Sequence, residues 1–135
     1  MKIIKIQKKL LYPELSYNII GALFDVYNQL KYGHREKIYQ KALAEQLSEK
    51  KINFQREQHY PVKFNNKVIS HYYIDFLVED KVVLELKVAE DFYQKDINQT
   101  LAYLKFRKLE LGILAIFAKN GIKYKRILNL IREDS

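Results

Sequence analysis

Three ionisable residues stand where the sequence otherwise builds a core. In "YYIDFLVEDKVVLELKVAED", Tyr72 to Asp91, Asp75 interrupts one apolar run and Glu85 and Lys87 interrupt the next. Val82, Val83, Leu84, Leu86 and Val88 read as a central strand covered on both faces. Charged side chains are rarely enclosed in such a place unless they are paired or bind a metal. Glu85 and Lys87 are two residues apart, so on a strand they project from one face.

Where Asp75 lies relative to them depends on the turn. A two-residue turn at 79–80 pairs Asp75 with Leu84 and sends Glu85 to the opposite face. A three-residue connection, Glu79-Asp80-Lys81, sets Asp75 opposite Glu85 on one face. Opposed residues have Cβ atoms about 5 Å apart, so in that register both carboxylates can bind one hard divalent cation. Without a cation the two repel and one tends to protonate. Carboxylate oxygens suit Mg2+ or Mn2+, and Mg2+ commonly takes one or two carboxylates plus waters and phosphate oxygens. Lys87, one pleat further along, could position or deprotonate an attacking water, or neutralise charge developing on a phosphate. These are the ingredients of metal-assisted phosphodiester hydrolysis. The competing reading is an internal ion pair between Lys87 and a carboxylate, because D…E-x-K is a short pattern.

The elements that must hold these residues follow from periodicity. From Pro13 to Leu30, apolar residues at Leu15, Ile19, Ile20, Leu23, Phe24, Tyr27 and Leu30 have helical spacing, and Pro13 suits the first turn. Gly33 is a stop signal, and a second helix is expected from Glu36 to Lys50. From Phe54 the period changes toward two. "FQREQHYPVKF", "KVISHYYIDFLV" and "KVVLELKV" read as three strands, joined at Asn65-Asn66 and at Glu79-Asp80-Lys81. A helix is expected over Gln94 to Leu109, then the buried strand "LGILAIF", then "IKYKRIL" as a final strand or short helix. A hairpin continuing into a helical crossover implies an α/β fold, a mixed sheet flanked by helices.

Composition sets the outer bounds. The 135 residues suit a single domain, 1–135, and 48% hydrophobic content argues for a folded core. There are no cysteines, which excludes disulfides and thiolate metal sites. The lead "MKIIKIQKKLLYPELS" has no apolar segment of signal-peptide length, and no run approaches the roughly 18 apolar residues of a membrane span. The expectation is a cytoplasmic protein with no membrane partner. A net charge of +8 suits a polyanion, nucleic acid above all. Its source is mostly Lys in a chain also rich in Ile, Asn and Tyr, so a general compositional bias is the competing origin. The three histidines (His34, His59, His71) show no ligand spacing, and no Gly-rich phosphate loop or Ser-His-Asp arrangement is present.

"GHREKIY", Gly33 to Tyr39, carries a Gly-x-x-Glu-x-x-Tyr signature. With it the chain resembles the GxxExxY proteins, a branch of the PD-(D/E)xK nuclease superfamily, over nearly its whole length. The resemblance implies a restriction-endonuclease-like αβββαβ core. It implies Asp75 as the strand aspartate, "ELK" at Glu85 to Lys87 as the E-x-K, and Glu36 as a helical acid joining the metal site. "QTLAY" resembles the Gln-x-x-x-Tyr motif of RecB-type exonucleases, which gives Gln99 and Tyr103, with Tyr39, a place in positioning substrate. No proline precedes Asp75, which follows Ile74. The bland alternatives are a helix-start acid at Glu36, a core residue at Tyr39 and a solvated Gln99.

The resulting expectation is a Mg2+- or Mn2+-dependent deoxyribonuclease. Asp75, Glu85 and Glu36 would hold the metal, and Lys87 would act on the water. The rivals are a nucleic-acid-binding module that does not cut, and a regulatory subunit in which Lys87 and Glu85 form only a salt bridge. At 16.2 kDa a homodimer or a protein partner is also expected.

Overall fold

The computed structural model of the chain describes residues 11–130; the basic lead over 1–10 lies outside the described residues, as do 131–135. Helix α1 spans Pro13–Leu30, with Pro13 in its first turn. Ile19, Ala22, Leu23 and Val26 recur at three- and four-residue intervals, and all four are buried. Helix α2, Glu36–Glu49, buries Tyr39, Leu43 and Leu47, a stripe one turn apart. Three strands follow: β1 (Phe54–Phe64), β2 (Lys67–Val78) and β3 (Val82–Val88). Helix α3 (Gln94–Arg107), β4 (Leu111–Ala118) and β5 (Gly121–Leu128) complete the order. The segment "IKYKRIL" is thus a strand. Helix α3 stops short of the expected Leu109 because Lys108 turns left-handed (φ 58°), and its N–H caps the carbonyls of Leu104 and Lys105.

The five strands form one sheet in the order β1-β2-β3-β4-β5. Pairs β1/β2, β2/β3 and β4/β5 are antiparallel, and β3/β4 is parallel. A parallel pair requires a crossover, which α3 supplies. Every residue of β4 is buried, as its all-apolar sequence requires of a strand covered on both faces. On one face, Phe76, Leu84, Leu86, Ile113 and Phe117 pack against α1 and α2. On the other, Leu77, Val83 and Leu114 pack against Tyr103 and Leu104 of α3. Each fully enclosed Leu, Ile or Phe contributes about 1.5–3 kcal/mol. Two such layers make β2 and β3 a stiff support able to hold charged groups within the sheet.

The packing also sets how close α3 lies. A Cβ at Gly112 would meet Thr100 Cγ2 at 2.7 Å and Leu104 Cδ1 at 3.4 Å. Glycine on β4 is therefore what lets α3 sit low over the sheet, with its first turn beside the end of β3. Phe24 and Phe106, both apolar positions in the helical pattern, stay exposed; Phe106 stacks on Tyr60 with ring centroids 5.0 Å apart.

Candidate functional site

Of the two possible hairpin registers, the three-residue connection is the one formed. Phe76 pairs with Leu84, Leu77 with Val83 and Val78 with Val82. The Lys81 N–H donates to the Val78 carbonyl at 3.0 Å, and Glu79 and Asp80 both take positive φ, 53° and 57°. Asp75 is then the next position across from Glu85. The backbone ladder ends one residue before it, and the Asp75 carboxylate takes the place of a backbone acceptor. Its Oδ2 accepts the Leu86 N–H at 2.7 Å. On the other side of β2, Glu57 takes φ 56° between the paired positions Arg56–Phe76 and Gln58–Ile74. Asp75 thus lies at an irregularity toward both neighbouring strands, and such interruptions re-aim a side chain.

Glu85 is only 5% exposed and lies within hydrogen-bonding reach of Asp75. Burial, and then the Asp75 charge, push the Glu85 carboxyl well above the ordinary range, and Lys87 only partly opposes them. Burial also raises Asp75; the Leu86 N–H, Glu85, Lys87 and the Gln40 amide pull it back only in part. Glu36 is raised by burial and by Asp75, against the pull of Lys87 and the Val88 N–H. Burial alone would lower Lys87, but Glu36, Glu85, Asp96 and Asp75 together outweigh it and leave the ammonium raised. One cation faces four carboxylates, three of them held above their usual range. The cluster is short of positive charge.

Glu36 reaches this cluster through the loop before α2. Gly33 takes φ 119°, a conformation natural only to glycine. The Tyr39 hydroxyl donates to the Lys31 carbonyl and accepts the His34 N–H at 3.4 Å. Its ring stacks on Phe117 with centroids 4.1 Å apart. Gly33 and Tyr39 therefore fold and pin the connection between α1 and α2, and Glu36 begins α2 facing the end of β3. Its Oε1 accepts the Val88 N–H at 3.4 Å. Among the described residues, no three His, Asp or Glu side chains converge closely enough, as they stand, to hold a metal ion. The donors brought into direct contact are Asp75 and Glu85, with Glu36 alongside.

Residues 13–127 match the sequence profile of the PD-(D/E)XK nuclease superfamily. The chain belongs to that superfamily. The match is at superfamily level and does not single out the GxxExxY branch. A solved structure titled "Crystal structure of SSO0001" is similar, with a TM-score of 0.55 at 20% identity over 72% of this chain. At that identity the likeness concerns the fold, a five-stranded mixed sheet flanked by helices of restriction-endonuclease-like type. This chain spans about half, 51%, of that protein. No curated protein matches the sequence.

The remaining residues singled out in this nuclease-superfamily chain are placed as follows. Gln99 is partly exposed on α3, one turn before Tyr103. Tyr103 and Tyr39 are fully enclosed, so neither presents a surface to a bound polymer. The Tyr103 hydroxyl accepts from the exposed Arg107 at 2.8 Å, as Tyr39 accepts from the His34 backbone. Their placement supports a role in positioning neighbours rather than contact with substrate.

Two residues of the superfamily chain's site went unnoticed in the sequence. Asp96, in the first turn of α3, is 3.9 Å from Lys87 Nζ. It is the only carboxylate within 4.0 Å of that ammonium among the described residues, so the internal ion pair of Lys87 exists, but not with Glu85. Gln40 faces Asp75 from α2 and helps to hold its carboxyl down. Its one available signal was its spacing, four residues after Glu36 and so on the same helical face.

Proposed function

We propose that this chain is a metal-dependent nuclease that hydrolyses DNA phosphodiester bonds. The observation that carries the reading is the juxtaposition of Asp75 and Glu85, two carboxyls held above their usual range by burial within adjacent strands. Like-charged acids in contact call for a cation, and oxygen donors of this kind fit Mg2+ or Mn2+. The fit is to a metal that keeps several waters, since three protein ligands do not converge. Asp75 and Glu85 would hold it, with Glu36 completing or orienting the site. Bound there, the metal would supply Lewis-acid polarisation of a phosphate oxygen and activation of water.

The protein's own groups divide the remaining work. Lys87 is kept in its ammonium form by the surrounding carboxylates, which suits a donor to water or phosphate better than a base. Asp96 and the Leu86 N–H fix Lys87 and Asp75 in turn. Gln99, partly exposed on α3, is placed in the proposal as a contact to the nucleic acid. DNA as partner, the chain acting as one domain over 1–135, a cytoplasmic setting and a homodimer or second protein belong to the same proposal. Among the described residues no helix is long and apolar enough to cross a membrane.

A second reading, a nucleic-acid-binding module that does not cut, is favoured by the absence of three converging ligands among the described residues. One experiment separates the two. Linear, nicked, branched and single-stranded DNA are incubated with Mg2+ or Mn2+ and wild type, Asp75→Ala or Lys87→Ala, and binding is titrated in EDTA. Most non-specific DNA affinity comes from Lys and Arg on phosphates, so the Asp75 variant should bind normally and cleave nothing. Wild type that binds but cleaves none of the substrates would establish the second reading.

A further inference from the structure

Among the described residues, one buried side-chain nitrogen or oxygen finds no hydrogen-bond partner, the Nε of Arg56. A buried donor left unpaired is costly and rare enough to need a reason. The ion pairs within 4.0 Å among the described residues are Lys50–Asp25 and Lys87–Asp96, so no carboxylate neutralises Arg56. The head group is nonetheless held in place. Arg56 lies on β1 opposite Phe76, and its guanidinium carbon sits 5.0 Å from the Phe76 ring centroid.

Arg56 lines a cleft of about 300 Å³ together with Gln40, Glu57, Tyr73, Ile74 and Asp75. The cleft reaches the proposed metal site at one of its acids, Asp75. Asp75 forms part of its wall, and Gln40, on the same wall, lies one turn beyond Glu36 on α2. A guanidinium fixed on Phe76, with no carboxylate partner among the described residues and beside the Asp75 wall of the proposed metal site, is suited to a phosphate, whose oxygens match its planar fork. At the rim Tyr73 is 60% exposed, its ring 5.3 Å from that of His59. An exposed aromatic ring there can stack on a base.

We infer that this cleft is a subsite for the nucleotide next to the cleaved phosphate, with Arg56 gripping its phosphate and Tyr73 stacking on its base. The bases of an intact duplex are already stacked, so the subsite selects single-stranded or frayed nucleic acid over closed duplex. Cleavage beside this subsite rests on the nuclease reading; the binding itself requires no metal.

The test uses the full chain in EDTA, with a fluorescein-labelled single-stranded oligonucleotide and the same sequence as duplex, titrated at several salt concentrations. Arg56→Gln should weaken single-strand binding roughly 10- to 100-fold. It should also reduce the slope of log affinity against log salt by about 0.7. Arg56→Lys, which keeps the charge and loses the fork, should fall between. Tyr73→Ala should weaken single-strand binding at least about fivefold and leave duplex binding unchanged. Lys50→Gln, which removes a charge at the far end of α2, serves as the control. Thermal unfolding confirms that each variant is folded, and if Arg56→Gln is not, Arg56→Lys and Tyr73→Ala carry the test.

Equal effects of Arg56→Gln and Lys50→Gln would overturn the subsite, as would equal loss on single strand and duplex for Tyr73→Ala. Normal cleavage and binding by the Arg56 variants would overturn it and leave the nuclease reading standing. A selective loss of binding in a wild-type background that never cleaves would support the subsite and end the nuclease reading.

Discussion

Replacing Glu85 by Gln is expected to stabilise the metal-free protein while abolishing the proposed nuclease activity. Glu85 is enclosed and in contact with Asp75, and burial and that neighbour both work against its charge. Two unit charges about 5 Å apart, the spacing of directly opposed strand residues, repel by about 3 kcal/mol at an effective dielectric near 20. Lys87 opposes this but weighs less than burial and Asp75. Proton uptake by wild type relieves part of the repulsion, so the gain at pH 8 should be about 1–3 kcal/mol. Glutamine keeps the volume, and its amide can donate to the Asp75 carboxylate. In a domain of this size each kcal/mol moves the unfolding midpoint by about 4 °C, so the rise should be about 4–12 °C. The assay is thermal unfolding followed by circular dichroism in EDTA, repeated with excess Mg2+. Wild type should gain about 2.7 kcal/mol when Mg2+ is a hundredfold above its dissociation constant, and Glu85→Gln should gain little. A variant less stable than wild type in EDTA would refute the reasoning, because Glu85 would then be a favourable partner of Lys87. Equal Mg2+ shifts in the two proteins would refute the metal assignment.

The pH dependence of the metal-free protein has a definite sign. Glu36, Asp75 and Glu85 are all raised on folding, so the folded chain holds protons that the unfolded chain releases. Their stabilising contribution is fully present below the ordinary values, 3.8 for Asp and 4.5 for Glu, and is lost as pH rises through the raised folded values. Midpoints in EDTA should therefore fall from mildly acidic to alkaline pH, and Mg2+ should flatten the slope; a midpoint that climbs over that window contradicts the raised acids. Tyr39→Phe removes the hydroxyl that ties Lys31 to His34 and should cost about 1 kcal/mol. It should also reduce the Mg2+-induced shift in melts, because Glu36 is less firmly placed; an unchanged shift would leave Tyr39 as a packing residue only. Gly112→Ala drives a methyl to 2.7 Å from Thr100 Cγ2 and should cost about 1–3 kcal/mol. Adding Thr100→Ser, which deletes that methyl, should recover most of the loss in denaturant melts, and strict additivity of the two changes would rule out the clash.

Much of this architecture was legible because its causes are local. The apolar stripe from Pro13 to Leu30, the two-residue alternation of β1 and β2 and the continuous apolar run of β4 are periodicities of the chain itself. The acids and the lysine were legible for a related reason. Asp75, Glu85 and Lys87 stand out because a charge inside an apolar strand is expensive, so each announces a compensating partner. The register of the hairpin was only conditional. Glu79 and Asp80 take the positive φ that glycine or asparagine would advertise, and the facing layers of β2 and β3, rather than those two residues, force it. Asp96, Gln40 and Arg56 were illegible for another reason: each is a polar residue at an unremarkable place. An acid in a first helical turn is what the helix dipole favours anyway, and only the close approach of α3 over Gly112 brings Asp96 to Lys87. The sequence likewise could not tell an enclosed tyrosine from an exposed one, and so tertiary packing decided that Tyr39 and Tyr103 are core while Tyr73 faces solvent. Spacing along the chain determines which face of an element a residue occupies; what covers that face is decided by elements distant in sequence, and the electrostatics of the site depend on that covering.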